Sequence, residues 1–505
     1  MTGIRVPGRL QSYSLILGVV MGMLVAGLAV PFVFGHRMAT DASAGPATGL
    51  NVLGQTPGPN ATFAPRASLA PTTGPGTGGS PLSSGGPTSP VGGPQFSPLP
   101  GGGRPGFTAS DVGVTATTIK IGIGIGDTGG LSKYGVTASA NQDPRTAFQA
   151  VVNYVNAHGG ILGRKIIPDY VKYDVLQQDS MTAACLQWTQ DDKVFAVINP
   201  GGYYGPPIEC VTRDHHTPFI TNDQEDLSYY RVSNGLLAST SQNASRMLTN
   251  LAVFLDQLGV LKGKKIGIFD ADGDFREPVP TALIPELRRL GYTVTDEETI
   301  TATDLSQYAT QAQVAVTNME TKGVQVVLLV HNFLGDTLFV NDADKQAAGF
   351  KYYMSDWGGI VADSSTNEMP QSFEGAIAFT GGRTGEAKTG YPEQARDKQC
   401  RLLYNQIDPK NAFNYGDVAQ GGMMNICNDF KFLVEAGSAV GPNLTRAAFT
   451  RALSALGTFP LDGAPDGSFT PGKTDASDYA REVSWHYSCT CFEPINRDPF
   501  VRLPY

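Results

Sequence analysis

From Thr117 onward, short β-branched apolar runs alternate with stretches whose apolar residues recur at helical spacing. Thr118–Ile123 reads as a strand that ends in glycines. Asp143-Pro144 then supplies an N-cap followed by proline at the first helical position. Ala147, Phe148, Val151, Val152 and Val155 follow on one helical face, and Gly159-Gly160 stop that helix. The alternation continues with strands at Lys165–Tyr170, Val194–Ile198 and Pro218–Ile220, and helices at Met181–Gln190 and Pro206–Arg213. It restarts after about Thr240. Helices are predicted at Ala244–Leu258, Val279–Leu290, Ser306–Thr321 and Gly335–Ala348. Strands are predicted at Lys264–Phe269, Thr293–Thr295, Val324–Val330, Lys351–Met354 and Ala376–Phe379. Further helices are expected near Pro392–Gln406, Val418–Ala436 and Thr445–Leu456, with short strands around Glu482–Tyr487. Repeated βαβ units imply an α/β fold with parallel sheets covered on both faces, here as two lobes of similar size.

In such sheets ligands bind beyond the C-terminal ends of the strands. The loops there are Gly124–Tyr134, Asn199–Gly205, Thr221–Asp226, Asp270–Arg276, His331–Asp336 and Ser355–Gly358. Each mixes glycine, small polar groups and an aromatic. That composition suits a cleft that holds a small molecule by backbone amides and ring faces.

The N-terminal portion is different. Arg5 and Arg9 precede an apolar run from Leu15 to Phe34. About 20 apolar residues suffice to span a bilayer, and basic residues before the run place the body outside. The expectation is a cytoplasmic segment at 1–12 and a membrane anchor at 13–35. The alternative is a cleaved signal with Ala42-Ser43-Ala44 as the cleavage site. Both readings put the body beyond the membrane. Residues 36–112 are dominated by Gly, Pro, Ser, Thr and Ala, with few charges. Such a chain buries too little apolar surface to offset its ordering entropy, so a disordered linker is expected. A flexible chain of about 70 residues has a mean span on the order of 50 Å.

Composition narrows the function. Of 505 residues, 41% are hydrophobic and 16% charged, with a net charge of -9. An acidic chain argues against a nucleic-acid binder. The motif Gly124-x-Gly126-x-x-Gly129 follows a strand, but the next helix waits until Pro144, so a dinucleotide cofactor is not expected. His215-His216 has no third ligand nearby, and adjacent side chains point apart, so no metal site is expected. No G-x-S-x-G or H-E-x-x-H pattern marks a hydrolase. Asn60, Asn243 and Asn443 head glycosylation sequons, a pattern that recurs by chance. Six cysteines suit an oxidising exterior and allow 15 pairings. Cys185 and Cys210 lie on successive predicted helices, as do Cys400 and Cys427, and Cys489 and Cys491 are two apart.

Ile121–Gly135, with Asp127-Thr128-Gly129-Gly130 and Tyr134-Gly135, resembles the opening of the Leu/Ile/Val-binding-protein-like family, type 1 solute-binding proteins of ABC transporters. Ala150–Ile166 is similar to that family's second signature, with Val155-Asn156-Ala157, Gly159-Gly160-Ile161 and Gly163-Arg164-Lys165. Lys264–Phe275 resembles the first strand of its second lobe. The likeness spans roughly residues 115–490. It implies two Rossmann-like lobes joined by three crossovers, placed near Thr240, Gly381 and Leu461, that close on ligand by hinge motion. Lobe 1 would comprise 113–240 and 382–460, and lobe 2 would comprise 241–381 and 461–505. By position, the first-lobe contacts fall on Tyr134, Tyr203, Tyr204, Thr221, Asn222 and Asp223. The second-lobe contacts fall on Phe275, His331, Asn332, Phe333, Asp356 and Trp357. Amino-acid-binding members carry hydroxyl residues where this chain has Pro200-Gly-Gly-Tyr-Tyr-Gly205, which argues against an amino-acid ligand. Asp223 or Asp356 remains available to an ammonium group, and the plain alternative for each is a helix N-cap. For Trp357 and the tyrosines the plain alternative is packing. The resemblance implies a non-enzymatic, extracytoplasmic receptor without cofactor. It would deliver an amino-acid-like or other small polar or aromatic compound to an ABC permease and be held at the membrane by its N-terminal helix. A ligand-sensing module acting through a partner, or a cell-surface enzyme, are the competing readings.

Overall fold

The computed structural model describes residues 107–128, 143–273, 276–301, 305–363, 365, 369–495 and 499–503. The apolar N-terminal run, the linker, Tyr134 and Phe275 lie outside the described residues. Among the described residues no helix is long and apolar enough to cross a membrane.

The first lobe starts with β1 (Thr118–Asp127), α1 (Pro144–Ala157) and β2 (Lys165–Asp174). Asp143 caps α1 by accepting from Arg145 N, with proline at the first turn, as its sequence predicts. There follow α2 (Gln178–Leu186), β3 (Ala196–Asn199), α3 (Pro206–Glu209), β4 (Phe219–Thr221), α4 (Leu227–Val232) and β5 (Leu237–Ser239). The sheet is parallel in the order β2-β1-β3-β4-β5. Along β3, Val197 packs with Trp188 and Phe219 on one face while Ile198 packs with Phe148 and Phe430 on the other. Burial of both faces is why this strand reads as a continuous apolar run.

The second lobe runs through α5 (Ala244–Leu258), β6 (Ile266–Ala271), α6 (Ile284–Arg289), β7 (Val294–Ile300), α7 (Leu305–Lys322), β8 (Val326–Leu329), α8 (Phe333–Gln346), β9 (Lys351–Ser355) and β10 (Ile377–Thr380). Asn243 caps α5, so this sequon asparagine is buried structure, and left-handed Gly259 closes the helix. Adjacent residues Leu328 and Leu329 again face opposite cores.

The chain then returns to the first lobe with α9 (Ala395–Ile407), α10 (Ala419–Val440), α11 (Arg446–Ser454) and the pair β11 (Gly457–Phe459) and β12 (Gly467–Phe469). Phe430, Leu433 and Phe449 from these helices share a core with β1 and α1. The third passage lies later than Leu461. Leu461, Phe469 and Ala476 pack in the first-lobe core, whereas Ala480 packs in the second. The cause is hydrogen bonding. Ser239 N donates to Thr474 O (2.8 Å) and Ala476 N donates to Ser239 O (2.9 Å), so 474–476 forms an edge beside β5. Phe459 and Phe469 also pack on Phe432 at 4.7 and 4.8 Å between centroids. Only then do β13 (Tyr479–His486), β14 (Cys491–Pro494) and β15 (Val501–Arg502) extend the second sheet, with β13 antiparallel to β10.

Three disulfides form: Cys185–Cys210, Cys400–Cys427 and Cys489–Cys491. The first two tie successive helices of the first lobe, and the third closes the turn between β13 and β14.

Candidate functional site

The loop after β3 is held from beneath. The Asp223 carboxylate accepts from Gly202 N and Tyr203 N, both at 3.0 Å, and Asn199 Oδ1 accepts from Gly201 N at 3.0 Å. Gly202 adopts φ +81°, a left-handed conformation that favours glycine. Burial pushes the Asp223 carboxyl up to about 6, against the pull of those amides and the Thr221 hydroxyl. Asp223 therefore shapes the loop instead of lining the cleft. Thr221 is fully buried, and its hydroxyl accepts from Asp223 N at 3.0 Å. Asn222 faces the cleft, donating to Thr240 Oγ1 (2.6 Å) and accepting from Asn425 Nδ2 (2.9 Å).

The two tyrosines part company. Tyr203 is fully buried; it donates to Met181 O (2.9 Å) and packs edge-on against Tyr173 at 5.2 Å. It belongs to the core. Tyr204 lines the cleft and donates to Val175 O at 3.0 Å.

In the second lobe His331 is also core. It is fully buried, stacks on Phe269 at 5.4 Å, and its Nδ1 accepts from Asn332 N at 2.7 Å. Burial lowers its pKa to about 4, so the ring is neutral. Asn332 caps α8 through Gly335 N (3.0 Å), and with Phe333 and Leu334 it borders the cleft. Trp357 is 5% exposed and donates from Nε1 to Val330 O at 3.0 Å, so it too is packing and not a ligand platform. Asp356 does reach the cleft. Its Oδ2 accepts from Gly381 N at 2.7 Å, and burial pushes its carboxyl up to about 6.

Two cavities open between the lobes, and Val418 and Gly422 border both. One, of about 520 Å³, lies at the ends of β1 and β3 against Asn332–Leu334. Its wall is mostly apolar, with Phe148, Leu176, Phe413, Met423 and Ile426. Leu176 and Val418 stay 38% and 42% exposed there. The other, of about 430 Å³, lies by the passages between lobes and is richer in polar side chains, with Thr240, Gln242, Thr380, Asn425 and several aspartates. Burial raises Asp397 to about 6 and also raises Asp363 and Asp462.

The α9–α10 segment was missed by residue reading, although Tyr404, Phe413, Met423, Asn425 and Ile426 line the cleft. One signal was present. Gly421 and Gly422 sit in the first turn of a 22-residue helix, where glycine costs about 1 kcal/mol against alanine, and a Cβ at either would meet open space.

The glycines of Gly124-x-Gly126 are required by close packing. Both lie inside β1, and a Cβ at Gly124 would fall 2.0 Å from Asn199 Nδ2. Among the described residues the groupings with metal-ligand spacing are Cys185, Cys210 and His215, and Cys400, Cys427 and Asp462. Their sulfurs are already joined in disulfides, so neither suits a metal.

Solved structures of similar fold share low sequence identity with this chain. A possible leucine/isoleucine/valine-binding protein from Rhodopirellula baltica has 15% identity and a TM-score of 0.55, covering 77% of this chain and 96% of its own. A fatty acid ABC transporter substrate-binding protein from Thermomonospora curvata has 17% identity and a TM-score of 0.56, covering 77% and 94%. A solute-binding protein from R. palustris, solved with 4-hydroxybenzoate, has 14% identity and a TM-score of 0.57, covering 76% and 97%. No curated protein matches the sequence. The family model described as periplasmic binding protein matches residues 118–479, a span that begins at β1 and ends at the return into the second sheet. The chain therefore belongs to the periplasmic binding protein family.

Proposed function

We propose that this protein is an extracytoplasmic solute-binding protein that captures a small molecule between its lobes for an ABC importer. The observation that carries the reading is the cleft itself. Its walls come from the C-terminal strand ends of both sheets, and Leu176 and Val418, which line an apolar cavity there, remain exposed. Apolar surface held open in a cleft favours a ligand that covers it. Contacts to both lobes would stabilise the closed form, which the permease would read. Similar solved proteins, titled as binding leucine, a fatty acid and 4-hydroxybenzoate, support a small organic ligand. Three disulfides support an oxidising compartment. In this reading the apolar run from Leu15 to Phe34 tethers the body to the membrane, and the chain acts as a binder and not a catalyst.

The test is to purify the full-length protein, denature it, and identify what it releases by mass spectrometry. A stoichiometric small molecule is the expected result. A protein that releases nothing, and whose melting temperature no compound in a broad metabolite panel raises, would count against solute capture.

A further inference from the structure

The two cavities differ in chemistry, and the difference speaks to the ligand. This inference rests on the solute-capture reading and deepens it. The apolar cavity engages its polar side chains in the fold: Asp143 caps α1, Asn332 caps α8, and Tyr204 bonds to Val175 O. The other described side chains that line it are mostly apolar, among them Leu176, Phe333, Phe413, Val418, Met423 and Ile426, with Thr128 and Tyr404 the polar exceptions. Among the described residues no Arg, Lys or His lines this cavity. An anionic group placed against these described side chains would lose its hydration without gaining a cationic partner among them.

The adjoining cavity excludes one sign of charge. Asp356, Asp363, Asp397, Asp417 and Asp462 line it, against Arg383 alone. Arg383 donates from Nη1 to Glu386 Oε1 at 3.2 Å, while its Nε is buried without a hydrogen-bond partner among the described residues, a single donor against five carboxylates. The N-terminus of α10 also faces this region, with its glycines open to the cavity. A helix N-terminus contributes roughly half a positive charge, which does not offset several carboxylates. An anionic head would sit among like charges in a site of low dielectric. A hydroxyl, amide or ammonium would meet Thr240, Gln242, Thr380 and Asn425, or the carboxylates themselves.

We propose that the ligand is an amphipathic compound with an apolar ring or branched alkyl body, seated on Val418, Phe333 and Ile426, and a polar end without negative charge. The common wall at Val418 and Gly422 places that polar end in the acidic cavity. The class leaves out α-amino acids and simple carboxylic acids, both of which bring a carboxylate.

The test uses one apolar body with three heads: 4-isopropylbenzyl alcohol, 4-isopropylbenzylamine and 4-isopropylbenzoate, with leucine beside them. Each is titrated calorimetrically into the full-length protein stripped of any bound compound. The alcohol or the amine is expected to bind about tenfold or more tightly than the benzoate, with leucine weaker still. Val418→Asp changes an exposed side chain, so its melting temperature should hold while the favoured probe weakens about tenfold or more. Asp356→Asn should narrow the gap between the favoured probe and the benzoate. A benzoate or leucine that binds as tightly as the alcohol and amine would overturn the proposal. So would a favoured probe indifferent to Val418→Asp, or no binding by any of the four. A carboxylate recovered from the purified protein would overturn this proposal while leaving solute capture standing.

Discussion

Asp475 offers the sharpest test of how the lobes are joined. It lies on the third passage, beside the start of α5 on the first. Its Oδ2 accepts from Asn243 N (3.0 Å), Asn243 Nδ2 (3.0 Å) and Arg246 Nε (2.7 Å). Next to it Lys473 pairs with Asp478 at 3.1 Å. The side chains of Asp475 and Arg246 are 4% and 12% exposed, so solvent screens the pair little. Asp475→Asn keeps the shape and removes the charge, leaving Arg246 and Lys473 buried with less compensation. Breaking a buried pair from one side costs about 3–5 kcal/mol. Unfolding entropy for a body of this size is roughly 0.8 kcal/mol/K, so the melting temperature should fall about 4–6 °C. Scanning calorimetry of the parent, D475N, R246A and the double variant measures both the loss and the coupling. The double variant should lose less than the sum of the singles. A D475N protein within about 1 °C of the parent, or effects that add to within ~0.5 kcal/mol, would refute a clamp between passages.

Trp357→Ala should cost about 3–5 kcal/mol of stability, because the ring is core, and thermal melts check this; an unchanged melt with lost ligand affinity would restore the ring to the cleft. Replacing Cys400 and Cys427 together by serine should cost about 3.5 kcal/mol, since the bond closes a loop across a separation of 27 residues between α9 and α10, and denaturant titration reads it. Stability should rise as pH falls from about 7 toward 5. Asp223, Asp270, Asp356 and Asp397 each have folded values near 6, above the unfolded value, so their contribution is full below about 4 and lost as pH rises through 6. His331, lowered to about 4, works in the opposite direction between about 6.5 and 4, one group against four. Melting temperatures across that range decide it, and a monotonic fall toward pH 5 would contradict the assigned burial of these carboxylates.

Much of the architecture was legible because both periodicities are strong. The helix announced by Asp143-Pro144 carries its cap and its first-turn proline, and the structure keeps both. The strand at Leu237–Ser239 was not visible, since three residues with Ala and Ser carry little β preference and are held by β4 on one side and by 474–476 on the other. The third passage was misplaced for the same reason: a long-range edge pairing, not a local signal, keeps 474–476 in the first lobe.

The site was legible as loops but not as side-chain directions. Neighbouring Tyr203 and Tyr204 look alike in sequence, yet one enters the core and the other borders the cleft. Glycine shows why sequence alone stops there. Gly335, in the first turn of α8, is required because a Cβ would lie 2.3 Å from His331 Nδ1, and this close approach is what holds the ring inside. Gly421 and Gly422, in the first turn of α10, have nothing within 4 Å of a Cβ and open toward the cleft. The same residue at the same helical position marks a buried ring in one lobe and an open ligand wall in the other. Only the opposing surface tells them apart. A Gly335→Ala variant should therefore lose stability as His331 is displaced, whereas Gly422→Ala should keep its fold and change binding alone.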